Sequence, residues 1–385
     1  MNETHKTRPL SVGPSVGGEL EGLRAQIDAV DRRILAELNE RARLVQAVGN
    51  LKRSAGAPVY SAPREQEILA RVVAENSGPF PSAALAPIFR EIISACRTLE
   101  EPLRIAYLGP EGTNSHLAAR EEFGASAALC AVLSIPAVFA AVERGQADLG
   151  IVPVENSTEG VVTQTLDAFV DTELTLCGEV VLRISYHLLS RSGRIDDVKR
   201  VVSHPQGLAQ CRAWLDAHLP HAERSESAST AAAACLAAED ASVAAIASAI
   251  AADAYRLRTI ESSIEDRRDN TTRFLLVGHT PPAPSGCDLT CAVFTVRKDE
   301  SGALYKLLEP FAQEGVNLTA IQARPMKGKP WEYLFYLDVE GHPSEERVGR
   351  ALADAARRAH SHKILGSFPR ASSRPRRAGV TAGDR

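Results

Sequence analysis

From Leu20 to Leu51 the apolar residues recur at steps of three and four: Leu20, Leu23, Ile27, Val30, Ile34, Leu38, then Leu44, Val45, Val48 and Leu51. That is the period of an α-helix, held for about thirty residues without a proline. A helix so long carries an apolar stripe that no short neighbour covers, so the spacing predicts packing against a second copy of itself. Gly56 and Pro58 mark its end. Two shorter helices are expected over 63–75 and 82–100, parted by the breaker run Ser77-Gly78-Pro79-Phe80-Pro81. The first hundred residues therefore predict an all-α domain.

At Leu103 the texture changes. Leu103-Arg104-Ile105-Ala106-Tyr107-Leu108-Gly109 is a buried strand ending in a glycine turn. Helical runs are then expected at 134–143, 207–219, 230–239 and 247–255. Strand-like runs alternate with them at 149–154, 180–189, 198–203, 243–246 and 272–278, which predicts α/β units. Two sheets with a ligand cleft between them suit this stretch. Pro281-Pro282-Ala283-Pro284-Ser285-Gly286 is a linker by composition. Beyond it come strand, helix, strand, strand, helix and strand (289–296, 303–314, 318–323, 332–339, 345–358 and 363–368), the ferredoxin-like α+β order. The expected domains are thus 19–101, 102–280 and 287–368, flanked by a flexible arm (1–18) and tail (371–385).

A chain of 385 residues exceeds what one core usually covers, which fits several domains. Its net charge of −4 gives no reason to expect nucleic acid or an anionic membrane as partner. Seven cysteines stand scattered, without a CxxC or zinc spacing, as in a reduced cytosolic protein. No run approaches the ~20 apolar residues of a membrane span, and the N-terminal residues hold no apolar signal core. A soluble, cytoplasmic protein is expected.

Within the helical region, Arg24, Arg41 and Lys52 are followed by Pro58-Val59, Arg64-Glu65 and, near the end of the last helix, Cys96 and Glu100. This spacing resembles the all-helical chorismate mutase family. The resemblance implies an intertwined homodimer in which Arg24 reaches the partner's site. Arg24 and Arg41 would grip the substrate's carboxylates, Lys52 would donate to the ether oxygen, and Arg64 with Glu65 would shape the site. Ser61 and Cys96 stand at substrate-facing positions where the family often has aspartate and serine. The rearrangement is intramolecular, so it needs no nucleophile, metal or cofactor. It needs a compact conformer held and negative charge stabilised on the breaking ether, a task for guanidinium and ammonium groups. Glu100 stands where a glutamine is common. A carboxyl group donates only when protonated, so mutase turnover is expected to fall as pH rises and Glu100 ionises.

The α/β region carries five segments in order: Gly109-Pro110-Glu111-Gly112-Thr113, Asp148 to Ser157, Ser203-His204-Pro205-Gln206, Glu226 to Thr230, and Asn270-Thr271-Thr272-Arg273-Phe274. Singly each is a turn or a cap, and Ser229 or Thr230 reads as a helix cap. Jointly they resemble prephenate dehydratase across the whole region, with a two-lobed fold like the periplasmic binding proteins. The reaction expels water and carbon dioxide and makes an aromatic ring, so it needs a proton for the leaving hydroxyl and firm carboxylate binding. The resemblance implies Thr272 as donor or relay, with Arg273 and Phe274 completing the motif. Thr113, Asn156, Ser157 and Gln206 would contact the substrate and Glu155 would order them, whereas His204 reads as structural. After the first strand the family commonly has Phe-Ser-Gln; here stand Asn114, Ser115 and His116.

In the last region Gly302-Ala303-Leu304 opens a helix, and Asn317-Leu318 leads to Gln322-Ala323-Arg324-Pro325. Both resemble the ACT regulatory domain of dehydratases that bind phenylalanine between subunits, which implies feedback inhibition by phenylalanine. Gly302, Ala303, Leu304, Asn317, Leu318 and Arg324 are the implied allosteric residues, although Gln322 and Ala323 replace the family's Glu and Ser. Other readings are arogenate as substrate, a non-catalytic solute-binding module with an amino-acid sensor, and a helical region that serves only as a dimerisation arm.

Overall fold

The computed structural model describes residues 14–55, 60, 62–100, 102–297, 300–326 and 332–371. Ser61 and the expected tail from 372 on lie outside the described residues, as does most of the expected arm. The chain divides into two compact units at residue 57. The first is one helix, α1 (Pro14–Ala55), of 42 residues. It starts inside the expected arm, since a proline at the first helical position gives up an amide that has no partner there anyway. Leu20, Leu23, Ile27, Ile34, Leu44, Val48 and Leu51 are all exposed along it.

The second unit opens with α2 (Ala62–Ala74) and α3 (Ser82–Arg97). α3 stops three residues short of Glu100, which lies in a turn. The first lobe follows: β1 (Arg104–Leu108), α4 (Asn114–Phe123), β2 (Ala128–Val132), α5 (Ile135–Glu143), β3 (Leu149–Asn156), β4 (Gly160–Val161), α6 (Thr163–Asp171) and β5 (Thr175–Arg183). The second lobe holds β6 (His187–Ser190), β7 (Arg200–Ser203), α7 (Pro205–Gln210), α8 (Arg212–His218), β8 (Glu223–Glu226), α9 (Thr230–Glu239), β9 (Val243–Ala247), α10 (Ala249–Tyr255) and β10 (Arg258–Glu261). The chain then returns to the first lobe as β11 (Thr271–Gly278). The first sheet runs β2-β1-β3-β11-β5, with β11 antiparallel to both neighbours, and the second β10-β6-β9-β7-β8. The lobes are thus joined by two crossings, after β5 and before β11, with a seam between them.

The third part is β12 (Asp288–Thr295), α11 (Ala303–Gln313), β13 (Leu318–Pro325), β14 (Tyr333–Glu340), α12 (Glu346–Arg358) and β15 (Ser361–Pro369), with sheet order β13-β14-β12-β15. This is the ferredoxin-like arrangement expected. One face of this sheet buries Ala292, Phe294 and Leu337 against Leu307 and Phe311 of α11 and Leu352 of α12. Its other face, through Cys291, Tyr336 and Phe368, joins Leu176 of β5 and Leu275 of β11 in a single core. The strands approach so closely that a side chain at Gly366 (φ +154°) would meet the Leu176 backbone at 2.5 Å.

The expected single strand over 180–189 is two, because residues 184–186 are the first crossing between lobes, with Ile184 and Tyr186 buried on the way. The expected helix over 207–219 is likewise two, broken at Cys211.

Candidate active sites

Strand parity fixes the seam. Residues of β11 alternate faces, so Phe274 and Leu276 enter the core with Tyr107 and Phe123, while Leu275 and Val277 enter the core shared with the third sheet. Thr272 belongs to the first set. Its cross-strand partner is Asn156 at the end of β3. The Asn156 amide nitrogen donates to Thr272 Oγ1 at 2.8 Å and to Asn270 Oδ1 at 2.8 Å. Its orientation is set from the other end, because Asn156 Oδ1 accepts from the backbone nitrogens of Thr158 (3.0 Å) and Glu159 (3.1 Å). Asn156 must therefore act as donor to Thr272, and that hydroxyl keeps its own proton. Among the described residues nothing accepts it.

The second lobe reaches this cluster through a residue the sequence reading missed. Gln210, the last residue of α7, accepts from Asn270 Nδ2 at 2.6 Å and donates to Thr158 Oγ1 at 3.1 Å. Gln206, one turn earlier, is partly exposed, and its side chain makes no hydrogen bond among the described residues. Ser157 Oγ receives the Thr271 amide at 3.0 Å, which ties the two strand ends together. His204 caps α7, its Nδ1 accepting from the Gln206 amide at 3.3 Å, and Ser229 caps α9. Thr113 also caps: its oxygen accepts from the His116 amide and its proton goes to the carbonyls of Leu108 or Pro110. The His116 ring stacks on Tyr107 and accepts from the Gly112 amide at 3.1 Å. Burial holds its pKa below the ordinary range, so the neutral ring that this bond requires is favoured.

Three residues expected at the substrate site are placed elsewhere, Arg273 and Glu155 by the same parity and Phe274 by its burial in the core. Arg273 points away from Thr272, with Nε donating to Glu179 Oε2 of β5 at 2.8 Å and Nη1 to Asp338 of β14. Burial alone would lower the Arg273 pKa. The facing carboxylates of Asp338 and Glu179 outweigh it and hold the guanidinium charged. Glu155 lies on that same face, lining a small cavity of ≈ 40 Å³ with Arg273, Asp338 and Gln322. Phe274 is 1% exposed and serves the core.

On α1, Arg41 continues the seven-residue step Leu20, Ile27, Ile34, Val48, so a cation interrupts the apolar stripe. Its Nη1 is buried and makes no hydrogen bond. Arg24 and Lys52 each stand four residues after a stripe position, beside the same stripe. In the second unit, Glu65 of α2 accepts from Arg97 of α3 at 2.6 Å, with both side chains shielded. Arg97 lies 5.5 Å over the Tyr60 ring and was not singled out by the sequence, since its partner is 32 residues distant. Among the described residues Arg64 pairs only with exposed Glu67, a weak contact. Cys96 is buried, and Glu100 is partly exposed.

In the third part Gly302 is the N-cap of α11, and Leu304 is exposed on its first turn. Asn317 and Leu318 follow the opposite end of that helix. Arg324 is already engaged, gripping both oxygens of Asp167 on α6 at 2.6 and 2.7 Å.

Residues 23–101 match the type II chorismate mutase family, 105–282 the prephenate dehydratase family and 292–357 the ACT domain. A bifunctional chorismate mutase/prephenate dehydratase of Aquifex aeolicus is 46% identical over 357 residues, spanning 92% of this chain and 98% of that one. Among solved structures, a prephenate dehydratase from Arthrobacter aurescens in complex with L-Phe aligns at TM-score 0.67 and 36% identity, covering 72% of this chain and 94% of that one. GqqA, described as a novel type of quorum quenching acylase, aligns at TM-score 0.65 and 30% identity over 70% of this chain and 98% of its own. The chain belongs to the family of bifunctional chorismate mutase/prephenate dehydratases, which rearrange chorismate to prephenate and convert prephenate to phenylpyruvate with loss of water and carbon dioxide.

Proposed function

We propose that Thr272 gives the proton to the departing hydroxyl of prephenate. The observation that carries this is the direction of its bond to Asn156. A threonine whose oxygen is an acceptor has its proton available, and the seam between the lobes is where it would be given. Asn156, Ser157 and Gln206 orient the substrate, and Gln210 ties the second lobe to the same cluster. As carbon dioxide leaves, the electrons of its bond enter the ring and the protonated hydroxyl departs as water. A neutral hydroxyl is a weak acid, so placement and the gain of aromaticity supply most of the rate. Thr272→Ala fed with chorismate tests this: prephenate should accumulate and phenylpyruvate fall by about a hundredfold or more. Unchanged phenylpyruvate formation would remove Thr272 from the reaction.

The mutase site is completed by Arg24, Arg41, Lys52, Arg64, Glu65 and Glu100, with Ser61 and Cys96 beside the substrate and Arg24 supplied by a second copy of α1. The exposed stripe of α1 supports the homodimer. Phenylalanine, bound in the Arthrobacter relative, is the effector, held between two copies where Gly302, Ala303 and Leu304 of one meet Asn317 and Leu318 of the other. Among the described residues no helix is long and apolar enough to cross a membrane, which supports a cytoplasmic enzyme.

A further inference from the structure

The loss of Arg273 as a substrate contact leaves a buried guanidinium to explain. It is next in sequence to Thr272, on the opposite face of β11, and it is the meeting point of two domains. Glu179, its partner in the catalytic sheet, has a fully buried side chain. Asp338, its partner in the ACT sheet, is itself held by Cys291, whose thiol donates to Asp338 Oδ1 at 2.9 Å. The register of β11 against β3 slips between Arg273 and Phe274, leaving Val154 as an extra residue opposite them. A bulge of this kind, here on β3, locally interrupts the ladder and re-aims side chains, and bulges often stand next to active sites. Arg273 Nη2 is buried without a hydrogen bond, and Arg273 lines the ≈ 40 Å³ cavity together with Gln322 of β13. β13 is also the strand that begins with Leu318 and carries Arg324 to Asp167.

We propose that Arg273 is the positioning residue of the dehydratase step: Asp338 of the ACT sheet and Glu179 of the catalytic sheet hold it, and its placement sets that of Thr272. The ACT sheet then governs turnover through one side chain, without an effector reaching the seam. A movement of β14 against β11 pulls on Arg273, and the backbone bond to Thr272 passes that movement to the hydroxyl and its bond with Asn156. This rests on the reading of Thr272 as proton donor.

The test uses the full chain and three variants, Thr272→Ala, Asp338→Asn and Arg273→Lys, each fed with chorismate and with prephenate. Asp338→Asn and Arg273→Lys should lower dehydratase kcat about tenfold or more, with KM for prephenate within about twofold and mutase turnover unchanged. Phenylalanine should still bind Asp338→Asn by calorimetry but change its kcat little. If both variants keep the parent kcat and its full response to phenylalanine, Arg273 is only a structural tie and the proposal is overturned. Activity retained in Thr272→Ala would instead remove the donor reading beneath it. Loss of a buried ion pair can unfold a domain, so the wild-type chain provides a second measurement. Saturating phenylalanine should change hydrogen exchange of the 271–275 amides. Exchange there that stays the same while phenylalanine is bound also overturns the proposal.

Discussion

At the scale of the residue, the chemistry turns on which partner of a hydrogen bond gives the proton. Asn156 is locked as donor to Thr272 by two backbone amides on its oxygen. Asn156→Asp would keep those amides but replace the donor by a carboxylate, which claims the threonine's proton for itself. Dehydratase kcat is expected to fall about a hundredfold, with mutase turnover intact, in a coupled assay that follows prephenate and phenylpyruvate separately. An unchanged kcat would mean that the hydroxyl's freedom does not matter. The resemblance to prephenate dehydratase made Asn156 and Thr272 visible, and small polar residues at strand ends agreed with it. The sequence also held the clue that Thr272 and Arg273 face opposite ways, in the two-residue period of a strand. What it could not reveal was why an arginine should be buried there, since Asp338 lies 65 residues away.

Among the elements, those with a strong period were readable and those built from small residues were not. The stripes of α1, α11 and α12 and the run of β11 stand out. α4 escaped notice because the residues it buries are Ser115, His116, Ala118, Ala119 and Phe123, a face that is apolar by size more than by hydrophobicity. Yet α4 is where the helical pair α2 and α3 docks. Half-buried Glu122 of α4 receives the Tyr60 hydroxyl at 3.4 Å, and burial raises its pKa from the usual range to about 7 against the pull of Arg90. The folded carboxyl is therefore protonated where the unfolded one is ionised. The stability it contributes is complete below about 4.5 and is lost as pH rises toward about 7. Glu122→Gln, neutral throughout, should gain on the parent across that window and stay ahead above it, by about 1–2 kcal/mol once residual solvent contact is discounted. Thermal unfolding at pH 5 and pH 8 would show it; a difference that does not grow with pH counts against a neutral carboxyl at this junction.

For the whole molecule, the open question is what covers α1. Leucine, isoleucine and valine side chains at a three-four spacing remain exposed over most of its length, Ile27 to 58% and Ile34 to 53%. A soluble chain rarely leaves so continuous an apolar surface in water. The stripe is also where Arg41 sits and which Arg24 and Lys52 flank, so the surface that needs a partner is the surface that carries the proposed mutase cations. If a second α1 covers it, dimerisation and mutase turnover depend on the same contacts, while the seam of the two lobes, with Thr272, Asn156 and Gln210, lies within one chain. A charge in the stripe separates the two cases. Ile27→Glu together with Ile34→Glu would bury two carboxylates per helix at the contact and is expected to prevent pairing of α1. Mutase kcat/KM should fall at least a hundredfold, because Arg24 no longer reaches a neighbouring site. Dehydratase turnover on supplied prephenate should stay within about threefold, because its reacting groups come from one chain. Sedimentation of the variant would report whether contacts between ACT sheets alone still hold a dimer. Should mutase activity survive the double substitution in a protein shown to have unpaired α1 helices, Arg24 would act within its own chain and the shared mutase site would be wrong.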